Sequence, residues 1–504
     1  MKRLRPTLVH LPKIGIANPY QHIQHFHQQQ IQRAENVNNP IKKTFNVPLP
    51  PLHLNSPPNT CRARRNQFAK SSSIAAQFSQ EIIEQKKNEK KVEKENENIV
   101  VNIESNAVNE KQKKQQPVTA EYVLSNYSNL LFEFEKKEVE NYQEIYYIRQ
   151  ESPKKRTYPQ KIPNFFPFVQ NDHIAYRYQQ LELMGKGAFG SVIKCFDHKN
   201  GRRVAVKMIR DQLKYHDQTR LERDILKIMQ GSNRVVRFLK SFTFRGFFCI
   251  VTELLYKDCY TVLRSQRFYG FSLSMMQTIA KQVAEAISFA HKNNIIHCDI
   301  KPENVMFTNK RKLSVKLVDY GCSCYRDKIL FSYIQSRYFR APEVALGIHY
   351  GPEIDVWSYA CVLVELFTGK PLFPANTEQE LLGMFVSYFG NPPPELITGK
   401  RAEKLFDSEG NMKETISEYT THQGQKNAKI VPSSHSIDDL FNINNQCQEQ
   451  EVNEGVKQLC DLIKKCLCWL PKDRITMEEI LNHPFITNPD IKNSETALPT
   501  LSAR

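Results

Sequence analysis

The sequence predicts an α+β fold in two lobes, a small β-rich lobe over residues 176–256 and a larger α-helical lobe over 257–486. Three observations carry this. From Tyr176 onward apolar residues alternate with period two around a glycine-rich turn. From Ser274 onward the apolar period lengthens to that of helices. Strands come first and helices follow, which places the two kinds of element in separate bodies with a cleft between them.

The elements follow in order. "YQQLELMGKGAFGSVIKCFD" reads as strand, glycine turn and strand, and "RVAVKMIR" as the next strand. "QTRLERDILKIM" puts Leu221, Ile225, Ile228 and Met229 on one helical face. "FFCIVTELL" is a buried strand. "SMMQTIAKQVAEAISFAHK" is a long helix with Met276, Ile279, Val283, Ile287 and Ala290 inward, opened by a capping box from Ser274 to Gln277. "IDVWSYACVLVELFTG" is apolar nearly all round, so it is a core helix stopped by Gly369. Thr377 with Glu380, and Thr476 with Glu479, form two more capping boxes. Residues 400–455 are polar and weakly patterned, an insertion in the helical lobe, and 487–504 read as a tail.

Ahead of the lobes, residues 1–116 read as disordered, dominated by Gln, Asn, Pro, His and Lys. Residues 1–70 hold eleven Lys or Arg and one acid, Glu35, and so carry ten of the seventeen net positive charges. The basic character therefore belongs to the tail, where "CRARR" offers an anionic-partner or nuclear-import patch. His22, His25 and His27 sit in a polar tract, a plainer reading than a metal site. Residues 117–150 carry Tyr122, Tyr127, Phe132, Phe134, Tyr142, Tyr146 and Tyr147, more rings than a solvated linker needs, so 117–175 is expected to dock on the β-rich lobe. No run of eighteen apolar residues suggests a membrane span, and the basic start lacks the apolar stretch of a secretory signal. The twelve cysteines read as reduced intracellular thiols, and neither Cys322 with Cys324 nor Cys466 with Cys468 has a partner pair at zinc spacing. A cytoplasmic and also nuclear location is expected, and a monomer, since nothing marks an oligomer interface.

One ordered set of side chains carries chemistry. Gly185, Gly187 and Gly190 sit between two strands, where bare backbone passes close over phosphates. A dinucleotide-binding turn would lead into a helix instead. Lys207 ends "VAVK" on the next strand, and Glu222 on the helix after it can fix that lysine's direction toward phosphates. In "HCDIKPEN", Asp299 can take the proton of an attacking hydroxyl, Lys301 can neutralise a phosphoryl group and Asn304 can hold a metal ion. Asp319 of "VDYG" is placed for Mg²⁺, and Glu343 of "APE" for a structural pair with Arg474 of "KDR". The set matches the phosphoryl-transfer template part for part. In "LFSYIQSRYFRAPE", Arg337 and Arg340 follow Tyr333 by four and seven residues. Two guanidinium forks suit a phosphate far better than a phenol, so Tyr333 reads as a phosphorylation site.

Residues 178–486 resemble a eukaryotic protein kinase domain of two lobes, and more narrowly the dual-specificity tyrosine-regulated kinases, the DYRK family. "NDHIAYRYQQLELMGKGAFG", "HCDIKPEN", "DYGCSCY" and "YIQSRYFRAPEV" carry the narrower likeness, and 117–150 with "EIYYI" is similar to the accessory region of the family's class 2 branch. The resemblance implies ATP held by Gly185, Lys186, Gly187, Gly190, Val192, Ala205, Lys207 and Glu222 from the small lobe. Thr252, Glu253, Leu255 and Asp258 would meet it at the junction, and Asn304 and Asp319 would hold Mg²⁺. It implies Ser/Thr phosphorylation of proteins, proline-directed with Arg a few residues upstream met by Glu303 and Asp258, and maturation by autophosphorylation on Tyr333. Cys298 stands where most kinases have an Arg that grips a loop phosphate, which leaves that work to Arg337 and Arg340.

The chain also departs from the family. Only the second tyrosine of its Tyr-x-Tyr exists, the first being Phe331; its Asp-Phe-Gly reads Asp319-Tyr320-Gly321; and the usual Phe before the hinge is Thr252, which should open a pocket behind the adenine. Tyr320 needs a partner or water for its hydroxyl. Cys298 and Cys324 are either a redox pair or two small buried residues. The alternatives are a catalytically silent scaffold, opposed by intact Lys207, Glu222, Asp299, Asn304 and Asp319, and a homeodomain-interacting kinase, opposed by "DHIAYRY" and 117–150.

Overall fold

A computed structural model of the chain describes residues 116–151, 165–187, 190–210, 213–329, 331–413, 436–441 and 453–493. The tail residues discussed above, including His22, His25, His27 and "CRARR", lie outside them.

The alternating segments form one antiparallel sheet. Its strands are β1 (His173–Ile174), β2 (Tyr178–Gly187), β3 (Gly190–Asp197), β4 (Arg202–Arg210), β5 (Phe238–Phe244) and β6 (Phe247–Glu253), in the order β1-β2-β3-β4-β6-β5. Ile193, Cys195, Val204, Val206, Met208, Cys249 and Val251 turn to one face and fill its core. A Cβ on Gly190 would come 2.0 Å from the Met208 carbonyl oxygen, so the residue re-entering β3 has to be glycine.

The helix Leu213–Ile228 packs against this sheet with Ile225 and Met229 buried and Leu221 partly so, but Ile228 is 41% exposed and Leu226 takes its place inside. The rotation follows from Glu222, on the same buried side, which is tied to Lys207. Charge pairing fixes the face here, and the apolar stripe shifts by one position to suit.

In the helical lobe the long helix runs Leu273–Lys292 with Ser272 as its cap, two residues before the expected Ser274. Gln277 is not a capping partner. It is buried and donates to the carbonyls of Phe485 and Asn488, 2.9 and 2.6 Å away. Thr377 caps the helix Glu378–Phe389, but the Glu380 carboxylate reaches past it to the Asn376 N–H. Thr476 and Glu479 form a full capping box. The core helix Glu353–Thr368 ends at Gly369, whose φ of 78° and whose neighbour, the Phe268 carbonyl, both exclude a side chain. Arg474 pairs with Glu343 through two 2.7 Å bonds in the interior, and its guanidinium also donates to the carbonyls of Cys468, Glu353 and Trp469.

The stretch 400–455 is not purely a polar insertion. Ala402, Leu405, Phe406, Ile437 and Phe441 are buried in the main core, and Phe441 stacks on Phe367 at 5.2 Å. Anchors this few and this widely spaced leave no period to read.

Residues 118–149 pack as a small unit of their own against the sheet. Helices Ala120–Tyr127 and Glu133–Val139 enclose Val123, Leu131, Val139, Ile145 and Tyr176. Glu135 is fully buried and takes two bonds from Arg149 (2.5 and 2.6 Å), one from Arg245 (2.9 Å) and one from His173 (3.1 Å). Burial alone would raise its pKa; His173 and Arg149 together hold it well below the usual carboxylate range. Tyr146 and Tyr147 are buried, whereas Tyr122 and Tyr127 remain exposed and meet each other edge-on. No described helix is long and apolar enough to cross a membrane.

Candidate active site

Three charges from distant parts of the chain meet at one point. Lys207 on β4 reaches the Glu222 carboxylate at 2.6 Å and the Asp319 carboxylate at 2.8 Å. Burial disfavours all three charges, and their proximity decides the outcome. Lys207 stays cationic, its pKa raised by Asp319 and Glu222 against burial. Asp319 is held well below the usual range, its burial outweighed by Lys207, while burial pushes Glu222 up. Asp319 therefore keeps its negative charge at neutral pH. A Cβ on Gly321 would lie 3.1–3.3 Å from Asp319, Lys207 and Glu222, so glycine leaves room for the triad.

Gln218, one turn before Glu222, donates to the Gly321 carbonyl at 2.5 Å and so ties this helix to the Asp319 loop. Tyr320 is fully buried beneath, edge-on to His297 at 4.8 Å, and among the described residues its hydroxyl meets no hydrogen-bonding group.

Facing this triad lies the loop of Asp299. Lys301 and Ser336 each donate to its carboxylate, at 2.6 and 2.7 Å, and Asn304 Nδ2 donates to its backbone oxygen at 2.8 Å. Burial would raise the Asp299 pKa, but Lys301 and Ser336 lower it overall, so the carboxylate is ionised and held in direction. The loop itself hangs from buried Asp355, which accepts from the N–H of His297 at 2.8 Å and of Cys298 at 3.0 Å. Cys298 has φ 65°, a left-handed conformation that those bonds hold in place.

At the junction, Thr252 sits on β6 opposite Ala205, and Val192 opposite Lys207. Leu255 is buried. Glu253 accepts from Lys316 at 2.6 Å, and both Asp258 oxygens are taken by Thr261 at 2.7 Å, so Asp258 caps the helix Cys259–Ser265. Gly185, Lys186 and Gly187 end β2 and Gly190 opens β3; the two residues between lie outside the described set.

Comparison with known proteins agrees with this geometry. Residues 178–486 match the protein kinase domain family. The chain is 36% identical over 393 residues to human dual specificity tyrosine-phosphorylation-regulated kinase 4, covering 75% of this chain and 72% of that protein. It belongs to the DYRK family of protein kinases. It is also 36% identical to human dual specificity tyrosine-phosphorylation-regulated kinase 3 (74% of this chain, 65% of that one). With serine/threonine-protein kinase ppk5 of Schizosaccharomyces pombe it shares 38% over 392 residues, 73% of this chain. It spans 44% of the fission-yeast protein's length. A protein kinase domain brings a general requirement for ATP, a divalent metal and protein substrates.

In this DYRK chain the activation segment differs in detail from the sequence expectation. Arg340 donates to the Tyr333 hydroxyl at 2.5 Å and lies over its ring. Arg337 instead donates to the Asn376 carbonyl. The second cation at the tyrosine is Arg401, 5.5 Å from the ring centroid, from the stretch read as an insertion. Ser336, Asp355, Gln218 and Arg401 contact the site and lie outside what local motif reading reaches. Asp355 alone had a visible signal, an acid inside an apolar helix.

The thiols of Cys298 and Cys324 are both buried, with sulfurs 3.8 Å apart in hydrogen-bond contact and no disulfide between them. Burial and then Glu303 push the Glu365 carboxyl up to about 8, and its Oε2 has no hydrogen-bond partner among the described residues.

Proposed function

We propose that the chain transfers the γ-phosphoryl group of ATP to Ser and Thr of protein substrates and activates itself by phosphorylating Tyr333. The joined Lys207–Glu222–Asp319 triad facing ionised Asp299 carries this reading.

The residues fit their parts. The β2–β3 turn covers the phosphates, and Lys207, steered by Glu222, pairs with them. Ionised Asp319 and the side-chain oxygen of Asn304, whose amide nitrogen is engaged on Asp299, are hard donors suited to Mg²⁺. Mg²⁺, when bound, neutralises charge on the phosphates. Asp299 orients the substrate hydroxyl and accepts its proton as the new O–P bond forms and the bond to ADP breaks; Lys301 offsets the charge of the moving group. Glu303, with Asp258 near it, meets an Arg upstream of the acceptor, and the stretch 336–343 accommodates Pro after it. The basic segment 1–70 binds an anionic partner, a role tested by salt-dependent retention on DNA or anionic lipid that is lost when it is deleted.

The test is a transfer assay with purified chain, Mg-ATP and peptides differing in Ser, Thr or Tyr, in upstream Arg and in following Pro. Ser and Thr peptides with Arg and Pro should be preferred, with turnover falling about 10³-fold in Lys207→Met and Asp299→Asn. A folded wild-type chain that transfers nothing to any peptide would leave the scaffold reading in its place.

A further inference from the structure

Three arginines surround one tyrosine and one carboxylate in the helical lobe. Arg340 binds the Tyr333 hydroxyl and stands 3.6 Å from Glu378; Arg401, over the same ring, stands 3.4 Å from Glu378. Arg337 lies alongside, held on the Asn376 carbonyl next to the helix that Glu378 begins. Two of these cations thus reach the Glu378 carboxylate directly, and the charge of Arg337 acts on it from farther off. Arg340 is buried, so its charge has little water to screen it.

From this cluster we propose that Glu378 is the stand-in anion of the Tyr333 site: it balances Arg337, Arg340 and Arg401 before modification and is displaced by the phosphate afterwards. This rests on Tyr333 being phosphorylated. A phosphomonoester brings nearly two negative charges and three acceptor oxygens to the end of the ring. Arg401, which comes from outside the activation segment, then becomes a ligand of the phosphate and ties residues 400–405 to the loop. The same carboxylate that holds the empty site together repels the filled one. Its removal therefore has opposite effects on the two forms, which a plain structural ion pair would not show.

The experiment compares Glu378→Gln in the active chain and in the Asp299→Asn chain, which cannot phosphorylate itself. Thermal unfolding is read at one scan rate, and Tyr333 occupancy by mass spectrometry. In Asp299→Asn, Glu378→Gln should lower Tm by about 1–3 °C. In the phosphorylated chain it should leave Tm unchanged or raise it, with Tyr333 still fully modified. Arg401→Met should do the reverse and lower Tm more in the phosphorylated form. Equal shifts of Glu378→Gln in both forms overturn the exchange while leaving Tyr333 phosphorylation intact. So does a Glu378→Gln chain bare at Tyr333 beside a modified wild type. A wild type that is itself bare at Tyr333 fails the autophosphorylation reading, and the exchange with it.

Discussion

Asp319 Oδ1 lies 2.8 Å from Lys207 Nζ, although 112 residues separate them in sequence. Glu222 shares that lysine, and Gln218 on the same helix ties it to the Asp319 loop through the Gly321 carbonyl. Gln218→Ala should lower kcat about 10-fold and raise the Mg²⁺ concentration needed for half-maximal rate, with little change in Tm. The measurement is a Mg²⁺ titration of initial rates. An unchanged Mg²⁺ requirement would make Gln218 a packing residue only.

Glu365 supplies a pH dependence whose sign is fixed. Its pKa in the folded chain, about 8, is above the unfolded value of 4.5. Stability from the bound proton is therefore complete below pH 4.5 and is lost as pH rises through 8. Glu365→Gln removes that loss, which is on the order of a few kcal/mol. The wild type should lose stability from pH 5 to about 8.5 and the variant should lose less, as read by denaturant midpoints at each pH. Parallel curves would contradict the assignment.

Thr252 pairs with Ala205 across the sheet, and a side chain this small should leave space behind a bound adenine. ATP-competitive inhibitors with bulky groups at that position should bind, and Thr252→Phe should weaken them at least ~10-fold, on the order of 1.4 kcal/mol. Equal inhibition of both forms refutes the pocket.

The 3.8 Å between the Cys298 and Cys324 sulfurs needs only a small movement to become a bond. Hydrogen peroxide would take both thiol hydrogens, leave one disulfide and two waters, and pull on a loop hung from Asp355. Burial holds the Cys298 thiol well above its usual pKa, so the reaction should be slow. Thiol mapping should show a 298–324 bridge as activity falls, with both effects reversed by dithiothreitol. Activity lost without that bridge leaves two buried thiols and no switch.

Local sequence patterns made the catalytic parts legible. Lys207, Asp299, Asn304, Asp319 and Glu343 sit in short motifs whose spacing is itself the constraint; β2, β3, β4 and the helix Leu273–Lys292 follow from period, and β6 and the helix Glu353–Thr368 from their apolar runs. What escaped depends on distant packing. Ser336 reaches Asp299 only after the activation segment folds back, and Arg401 reaches Tyr333 only because Ala402, Leu405 and Phe406 anchor a stretch with no readable period. Ile228 was assigned to the core because an apolar stripe cannot reveal that Glu222 sets the helix rotation.

The central claim is that this active site modifies its own Tyr333. Phosphopeptide mass spectrometry on bacterially produced chain, wild type beside Asp299→Asn, tests it most directly. The account predicts phosphate on Tyr333 in wild type and none in the variant; a bare Tyr333 in both, from folded protein, would contradict it.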